Sequence, residues 1–512
     1  MLKIWVKRWV RVRKFIKKYF IVLFIFIIVI ILGVNFIDKN DSNVSSTNVA
    51  KSITYGVEDI PDDLTTISNL NSYDTDIICA TSKGLVCKNA KGEIVPSLAS
   101  EYTVSPDGIQ YEFKIRDDIY WSNNSKITAE DIIEYFRQLI KEEKDENITS
   151  ILNVYGARDY KNGKNTFDKS VAIKAQDNSI IIRLNQRDDK FLEELTKPQY
   201  RIRKYLILWR DIKRNYDSLI YSGDYKIESV GSENITLRKN DNSNAKLDVI
   251  NIIKDSSTEQ SMASYEIGGR DIVINPPSSE LNKLKDENNL ITIPKPLGVY
   301  LIINNDGSIP MQGRREIYNN IYKSIGEYQN LNSSEFDLAE GCYFREDKEN
   351  LNVIQIRKVN SNKEGSWSRP QVLTIIAKDD KLNRILCRTI KEWFAKNTEI
   401  TVKYNLASDE EFSDYDFTKK YDMILMSSSA IYSDREKFYT NFEKYFNDTD
   451  KKILDKIRAE DSNKSYYPLE ESLFNNYNIL PLCFQNENIA LSNKITSINF
   501  DGNGNIDFSN IE

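Results

Sequence analysis

The residue type that most often performs acid–base and nucleophilic chemistry is missing from this chain, because none of its 512 residues is histidine. Ser-His and Cys-His pairs, HExxH zinc sites and imidazole catalysis are therefore excluded. The sequence also has no GxxxxGKS or GxxxxGKT phosphate loop and no GxGxxG motif that opens a helix. Its 76 acidic residues make chance carboxylate pairs inevitable, and no pair is marked as an acid and base. The sequence predicts a protein that is not an enzyme and needs no cofactor.

One set of oxygen-bearing residues near the C-terminus has the spacing of a calcium-binding loop. Ile506, however, occupies the position at which such a loop needs glycine. We therefore predict a surface turn and no metal site. The residues with ligand spacing are Asp501, Asn503, Asn505, Asp507, Ser509 and Glu512.

The five cysteines are an odd number and form no CxxC unit, so not all of them can pair within the chain. Cys79 and Cys87 could form a disulfide if a hairpin brings them together. The alternative is that they are unpaired thiols without a function in a large domain, and the sequence leaves both possibilities open.

The N-terminus predicts a membrane anchor. Residues 1–18 carry eight Lys or Arg and no acid, and residues 19–37 follow without a charge. Nineteen helical residues span roughly 28 Å, close to the thickness of a hydrocarbon core. The basic segment 1–18 is expected to stay cytoplasmic, which places the rest of the protein outside the cell membrane. A cleaved signal peptide is the alternative, but the apolar run is longer than the usual 7–15 residues.

The charge of the remainder argues against nucleic acid. Removing the eight N-terminal cations from the formal net charge leaves −6 − 8 = −14. An acidic exterior repels nucleic acid and anionic lipid surfaces. Residues 38–52, rich in Asn and Ser, are predicted to be a flexible linker between the membrane helix and the exterior domain.

The residues after the linker alternate between strand and helix patterns. Ser105–Gly108 has the residues of a type I turn, and alternating apolar residues from Ile109 to Ile115 predict a strand after it. Thr128 and Asp131 have capping-box spacing before a helix. Residues 171–175 and 179–184 predict a second hairpin. A strand–helix–strand order over residues 372–404, with another strand at 422–426, predicts an α/β region with a partly parallel sheet.

The order of motifs resembles that of the extracellular solute-binding proteins of the peptide and nickel class, the receptors of oligopeptide ABC importers. Further segments of the chain, from Ser222–Asn240 to Leu469–Gln485, resemble later landmarks of that family. The resemblance covers about residues 54–510. The residues that match its first landmark are Gly92, Pro96, Leu98, Ala99, Ser105, Asp107, Gly108, Phe113, Arg116, Trp121, Ser122, Thr128, Ala129, Glu130 and Asp131.

The resemblance implies an α/β periplasmic-binding-protein-like fold, with two lobes of mixed sheets flanked by helices and joined by a hinge. It places the first lobe at residues 53–295, the second at 296–479, and a C-terminal return to the first at 480–512. It further implies that a peptide or similar small solute binds between the lobes, and that the closed form delivers it to ABC permease subunits.

Two departures from the family pattern fall where the ligand is expected. Peptide binders carry G-W-x-A-D-Y after a D-M-x-L strand, and the resemblance implies that its Asp pairs with the ligand's α-ammonium. Residues 427–432 read S-S-S-A-I-Y here, so Ile431 replaces that Asp. A buried ammonium without a carboxylate is costly, which disfavours ordinary free-amine peptides. In addition, Lys83 replaces the Glu of the family's E-G-L segment.

The candidate ligand-binding residues are those that match family landmarks around these departures. Two functions stay open: an importer receptor with an altered pocket, or a sensor or protein-interaction module that keeps the fold without ordinary peptide binding. The candidate residues are Lys83, Ser428, Ser429, Ala430, Ile431 and Tyr432.

Overall fold

The computed structural model of the chain describes residues 51–68, 70–89, 91–304, 308–331, 334–349, 367–460 and 465–511. The predicted segments 1–18 and 19–37, and all but the last residues of the predicted linker, lie outside these ranges. No helix within them is both long enough and apolar enough to cross a membrane. The described residues from Ser52 onward form one unit.

Eleven strands of the described chain form one mixed sheet, and four more form a separate antiparallel sheet. The strands, in chain order, are β1 (Ser52–Val57), β2 (Val86–Lys88), β3 (Ile94–Pro96), β4 (Ala99–Val104), β5 (Gln110–Ile115), β6 (Ile173–Gln176), β7 (Ser179–Arg183), β8 (Tyr225–Val230), β9 (Asn234–Lys239), β10 (Val249–Lys254), β11 (Ile272–Ile274), β12 (Leu290–Ile303), β13 (Phe336–Leu338), β14 (Val372–Lys378), β15 (Thr401–Ala407), β16 (Met423–Ser429) and β17 (Ile479–Leu491). The large sheet has the order β15-β14-β16-β12-β17-β11-β1-β10-β9-β8, and β13 also pairs with β17. The smaller sheet has the order β4-β5-β7-β6, while β2 and β3 pair with each other.

Helices flank these sheets. The α-helices are Ser72–Thr81, Ala129–Glu142, Thr149–Leu152, Ala157–Lys161, Phe167–Ser170, Phe191–Glu194, Ile212–Asn215, Thr258–Glu266, Ser278–Asp286, Met311–Leu331, Lys381–Asn397, Asp409–Ser413, Tyr415–Thr418, Arg435–Phe442, Asp448–Arg458 and Tyr467–Asn475. Single turns of 3₁₀-helix lie at Asp145–Asn147, Pro198–Tyr200, Leu206–Arg210, Arg345–Glu349, Tyr432–Asp434, Glu443–Tyr445 and Phe508–Asn510.

The local elements predicted from the sequence are confirmed. The Gly108 amide donates to the Ser105 carbonyl, which closes the turn between β4 and β5. The glycine φ of 72° explains why this residue type ends the turn. Thr128 and Asp131 form a reciprocal capping box at the start of helix Ala129–Glu142. β6 and β7 form the second hairpin, and β14 pairs in parallel with both β15 and β16.

Three large clusters of buried apolar side chains, and a fourth small one around Met262 and Leu284, are present among the described residues. Core A draws on residues 53–80, 209–274 and 489–511, core B on residues 85–206, and core C on residues 299–484. Cores A and C are joined by β12 and β17, of 14 and 13 residues. One half of β17, with Leu480 and Phe484, packs in core C, and the other half, with Ile489 and Leu491, packs in core A.

The pairing of β12 with β17 is interrupted between the two cores. Leu290–Pro294 pairs with β17 in one register, and a register shift separates it from Gly298 and Val299. A second shift follows between Val299 and Tyr300. The three residues of β12 between Pro294 and Gly298 therefore lack the regular ladder to β17, although Leu297 still pairs with Ser429 of β16.

All five cysteines are free thiols in the structure. Cys79 lies on helix Ser72–Thr81 and Cys87 on β2, and both are partly buried. Burial raises the pKa of each thiol above its ordinary value. Cys79 and Cys87 are therefore unpaired thiols in the structure, and no disulfide joins them.

Asp74 makes stability depend on pH at the start of helix Ser72–Thr81. Burial raises the pKa of this carboxyl to about 6, although its oxygen accepts a hydrogen bond from the Asn71 amide. The folded state then binds more protons than the unfolded state between about pH 4 and pH 6, so stability falls as pH rises through that window. Asparagine at position 74 can keep the cap and does not titrate. We expect the free energy of unfolding of Asp74→Asn, measured relative to that of the wild type, to increase by on the order of 2 kcal/mol from pH 4 to pH 7.5. Urea unfolding of both proteins at the two pH values measures this gain, and an equal difference at both values would contradict it.

Candidate ligand-binding site

Five of the six predicted site residues lie together at the C-terminal end of β16. Ser428 pairs with Gly298 of β12, and Ser429 pairs with Leu297. The Ala430 amide then donates to the Pro296 carbonyl at 2.9 Å. These residues therefore lie against the part of β12 at which its register with β17 shifts.

The side chains of this segment differ in burial. Ser428 is buried, and its hydroxyl has no hydrogen-bond partner among the described residues. Ala430 is buried as well, while Ile431 and Tyr432 are 43% and 44% exposed. An apolar and an aromatic side chain thus face solvent at the position where the family pattern has Asp and Tyr.

A guanidinium lies directly behind Tyr432. The Arg435 guanidinium carbon is 3.8 Å from the centre of the Tyr432 ring and 5.0 Å from that of Phe344. Its Nη2 is 2.9 Å from Asp347 Oδ1, and both side chains of this ion pair are largely buried. The positive charge beside the segment is therefore already compensated by Asp347.

Sequence reasoning missed Arg435 and Asp347. The two residues are 88 positions apart, and their contact leaves no short-range pattern in the sequence. Two acids follow Ile431 within five positions of the sequence. Asp434 ends a turn of 3₁₀-helix, and the Glu436 carboxylate is 3.8 Å from Arg458.

Lys83, the sixth predicted residue, lies elsewhere. Its ammonium is 2.9 Å from Asp224 Oδ1, and its carbonyl accepts from the Ile202 amide. It lines a cavity of about 610 Å³, and residues 428–432 are not among the described residues that line this cavity. The structure therefore divides the predicted site between two places.

A charged pair spans the two long strands near the register shift. Lys295 Nζ is 2.8 Å from Glu487 Oε1, and both side chains are mostly buried. Asp76 is fully buried nearby, and this burial raises its pKa well above the ordinary value, although Ile506 and Tyr55 donate hydrogen bonds to it. No local pattern in the sequence indicates this group, because its members come from three distant segments.

The predicted C-terminal turn is present at Asp501. The isolated bridge between Phe500 and Ile506 closes it, and Asp501 Oδ1 accepts from the amides of Asn503 and Asn505. Its other oxygen is 2.9 Å from Arg201 Nη2 in a buried ion pair. The two amides and the Arg201 guanidinium fix the Asp501 carboxylate in the turn. The described residues contain no cluster of three or more candidate metal ligands.

Comparison with solved structures defines the class of fold. The murein tripeptide binding protein MppA of Escherichia coli, in its unliganded open form, superposes with a TM-score of 0.64 at 19% identity, covering 88% of this chain and 94% of MppA. At this identity the likeness establishes the fold alone, a mixed α/β fold of the periplasmic-binding-protein type.

Sequence comparison gives the family. Residues 93–323 match the model of the bacterial extracellular solute-binding proteins, family 5, middle region. The oligopeptide-binding protein OppA of Bacillus subtilis is 29% identical over 239 residues, and a dipeptide-binding protein of Lactococcus lactis is 26% identical over 190 residues. These alignments cover 44% and 36% of this chain, and the chain spans only 43% and 34% of the two relatives' length. The middle part of the chain, residues 93–323, thus has the sequence features of the family 5 extracellular solute-binding proteins.

Proposed function

We propose that this protein is a non-catalytic receptor that binds a peptide or similar small solute between two lobes and delivers it to ABC permease subunits. The observation that carries the proposal is the strand pair β12–β17, which joins cores A and C and loses its regular register between Pro294 and Gly298. We place a hinge at this point. Its position agrees with the proposed division into a first lobe at 53–295, a second lobe at 296–479 and a return to the first lobe at 480–512. The names of the relatives, which are peptide-binding proteins, support the ligand class.

The position of residues 428–432 supports a role in closure. Ser428, Ser429 and Ala430 pair with Pro296–Gly298, within the proposed hinge, and Ile431 and Tyr432 follow them directly. A rotation there would move them relative to core A. A ligand that contacts both these residues and the first lobe would therefore make the two sets of contacts together only in the closed form. Closure then needs a few kcal/mol of differential affinity and no chemical step.

The proposed location follows from the N-terminal segment. Residues 1–18 would stay in the cytoplasm, residues 19–37 would cross the cell membrane, and the binding domain would lie outside, next to its permease. Nucleic acid is not a proposed partner, because the net charge without residues 1–18 is strongly negative.

The chemistry beside Ile431 favours a ligand whose end carries no free ammonium. Ile431 offers no charge, and Arg435 is already paired with Asp347. An ammonium placed against these side chains would lose its hydration without gaining a carboxylate. A peptide with a blocked amino end, or a neutral small solute, would avoid this loss.

Replacing Ile431 by Asp tests this proposal. We expect Ile431→Asp to bind trialanine more tightly than N-acetyl-trialanine by roughly tenfold or more, because the new carboxylate pairs with the free ammonium. Isothermal titration calorimetry of both peptides measures the preference. Ile431→Asn is the matched control, since asparagine has the size of aspartate and carries no charge. Equal affinities of the Asp variant for the two peptides would contradict the placement of Ile431 at the ligand's amino end.

A second candidate function is a sensor or protein-interaction module that keeps this fold without a solute. The presence of Ile431 where the family pattern has Asp favours this second candidate, because the partner of a peptide's ammonium is missing. Native mass spectrometry of the full chain purified from its own host separates the two candidates. A bound mass of a few hundred daltons, released on denaturation, supports the receptor. A bare protein that also shows no thermal shift with a peptide pool supports the module, since a ligand at 100 times its Kd stabilises by about 2.7 kcal/mol.

A further inference from the structure

The cavity beside Lys83 is separate from the proposed interlobe site. Its volume is about 610 Å³, and its described lining comes from residues 83–245 and 509–510. None of that lining belongs to β12, β17 or core C. The cavity, called the Asp224 cavity below, lies where loops flanking β4 and β5 approach loops flanking β8 and β9.

Asp224 is fixed in the wall of this cavity. Its Oδ1 accepts from Lys83 Nζ and from Ser243 Oγ, each at 2.9 Å, and its Oδ2 accepts from Ser509 Oγ at 2.9 Å. Burial alone would raise the pKa of this carboxyl, but the Lys83 charge and these hydrogen bonds outweigh it and lower the pKa. The wall therefore holds a permanent carboxylate whose charge is already balanced.

The second pair of charges in the lining is balanced as well. Arg116 donates to both carboxylate oxygens of Asp118, at 2.8 and 2.7 Å. Two cations and two anions thus cancel within the lining. A ligand with a net charge would lose hydration there without meeting an uncompensated opposite charge.

The lining nevertheless has polar groups with unused hydrogen-bonding capacity. The Lys83 ammonium has Asp224 as its single partner among the described residues, which leaves two of its three N–H donors unused. Asn240 is 5% exposed; its amide nitrogen donates to the Gly223 carbonyl at 2.6 Å, while its Oδ1 is buried without a partner. Asn244 at the cavity's edge is exposed.

We propose that the Asp224 cavity binds a neutral, hydroxyl-rich small molecule of mono- or disaccharide size. Hydroxyl groups both donate and accept, and so match a lining of amides, hydroxyls and ammonium N–H groups. The Tyr120 ring, 47% exposed at the cavity, offers a flat apolar surface for the carbon face of such a molecule. The volume lies within the range of small-molecule sites. This site goes beyond the proposed transport function and does not depend on it.

Calorimetry with saccharides of different charge tests the proposal. The full chain is kept in a polyoxyethylene detergent, which carries no sugar, and is titrated with N-acetylglucosamine, cellobiose and maltose as neutral probes. Glucosamine and glucuronate are the charged counterparts. We expect at least one neutral probe to bind with a Kd below about 1 mM and the charged probes to bind at least about tenfold more weakly.

Variants locate the binding. Tyr120→Ala and Asn244→Ala change exposed side chains and should fold normally, and each is expected to weaken the neutral probe by roughly fivefold or more. Tyr155→Ala is the matched control, because Tyr155 is 61% exposed and lies outside the cavity lining. Ile431→Asp should leave saccharide binding unchanged, which separates this site from the interlobe one. The proposal is overturned if no neutral saccharide binds, if a charged one binds best, or if binding is equal in Tyr120→Ala and Tyr155→Ala.

Discussion

Gly223→Ala should lower the free energy of unfolding by about 3 kcal/mol, at the upper end of what overpacking a close contact costs. A Cβ atom at this position would lie 2.3 Å from the Thr81 carbonyl carbon, 2.4 Å from the Ser82 amide nitrogen and 2.5 Å from the Ala80 carbonyl oxygen. All three are backbone atoms, which cannot rotate away as a flexible side chain can. The Gly223 amide also donates to the Thr81 carbonyl at 2.9 Å, so separating the two chains would break this hydrogen bond.

Gly326→Ala is the matched control for this change. Gly326 lies in helix Met311–Leu331, and its added Cβ would meet only a Leu338 methyl carbon at 3.7 Å. We expect this variant to be neutral or stabilised by up to about 1 kcal/mol, since alanine favours a helix more than glycine does. Urea unfolding of both variants measures the contrast. Equal free energies of unfolding for the two variants would contradict this prediction, because they would mean that the segments around Gly223 and Thr81 can move apart without destabilising the protein.

Trp121→Ala is expected to lower the free energy of unfolding by about 3–5 kcal/mol, the loss usual for a large core side chain. The Trp121 side chain is fully buried in core B. Its indole nitrogen donates to Asp131 Oδ2 at 2.9 Å, and the Lys204 ammonium lies 5.1 Å from its ring centre. Because Asp131 also closes the capping box of helix Ala129–Glu142, the ring supports the start of that helix.

Trp121→Phe separates the two contributions of this residue. Phenylalanine keeps most of the apolar bulk and loses the indole donor, while Asp131 keeps its ion pair with Lys204 at 3.0 Å. We expect this variant to lose about 1–2 kcal/mol. If Trp121→Ala is no less stable than Trp121→Phe, burial of the ring contributes little and core B does not depend on it.

Local elements could be predicted because the residues that determine them are close in sequence. The turn at Ser105–Gly108 and the capping box at Thr128 each need only four consecutive residues, and both are present. The parallel pairing of β14 with β15 followed from one strand–helix–strand pattern. The mixed α/β class follows from the same alternation of patterns.

The candidate site was less accessible to prediction. The landmark residues 428–432 lie together because they are consecutive, but their surroundings depend on Arg435 and Asp347, which meet only in the folded chain. Lys83 was predicted to belong with them and instead pairs with Asp224, 141 positions away. Contacts of that range depend on how whole sheets pack, and no local pattern encodes them.

The composition of core A has a consequence for synthesis. Ile53 and Ile77 near the start of the described chain pack in the same core as Ile489 and Phe508 near its end. At 5–20 residues per second, a ribosome would need roughly 20–90 s between making β1 and releasing its last core partners. Core B, drawn from residues 85–206, is completed far earlier and can fold while translation continues. From the completion of β11 until its neighbour β17 is made, β11 would have an open edge that other chains could pair with. We therefore expect this protein to depend on chaperones more than its sheet content alone suggests.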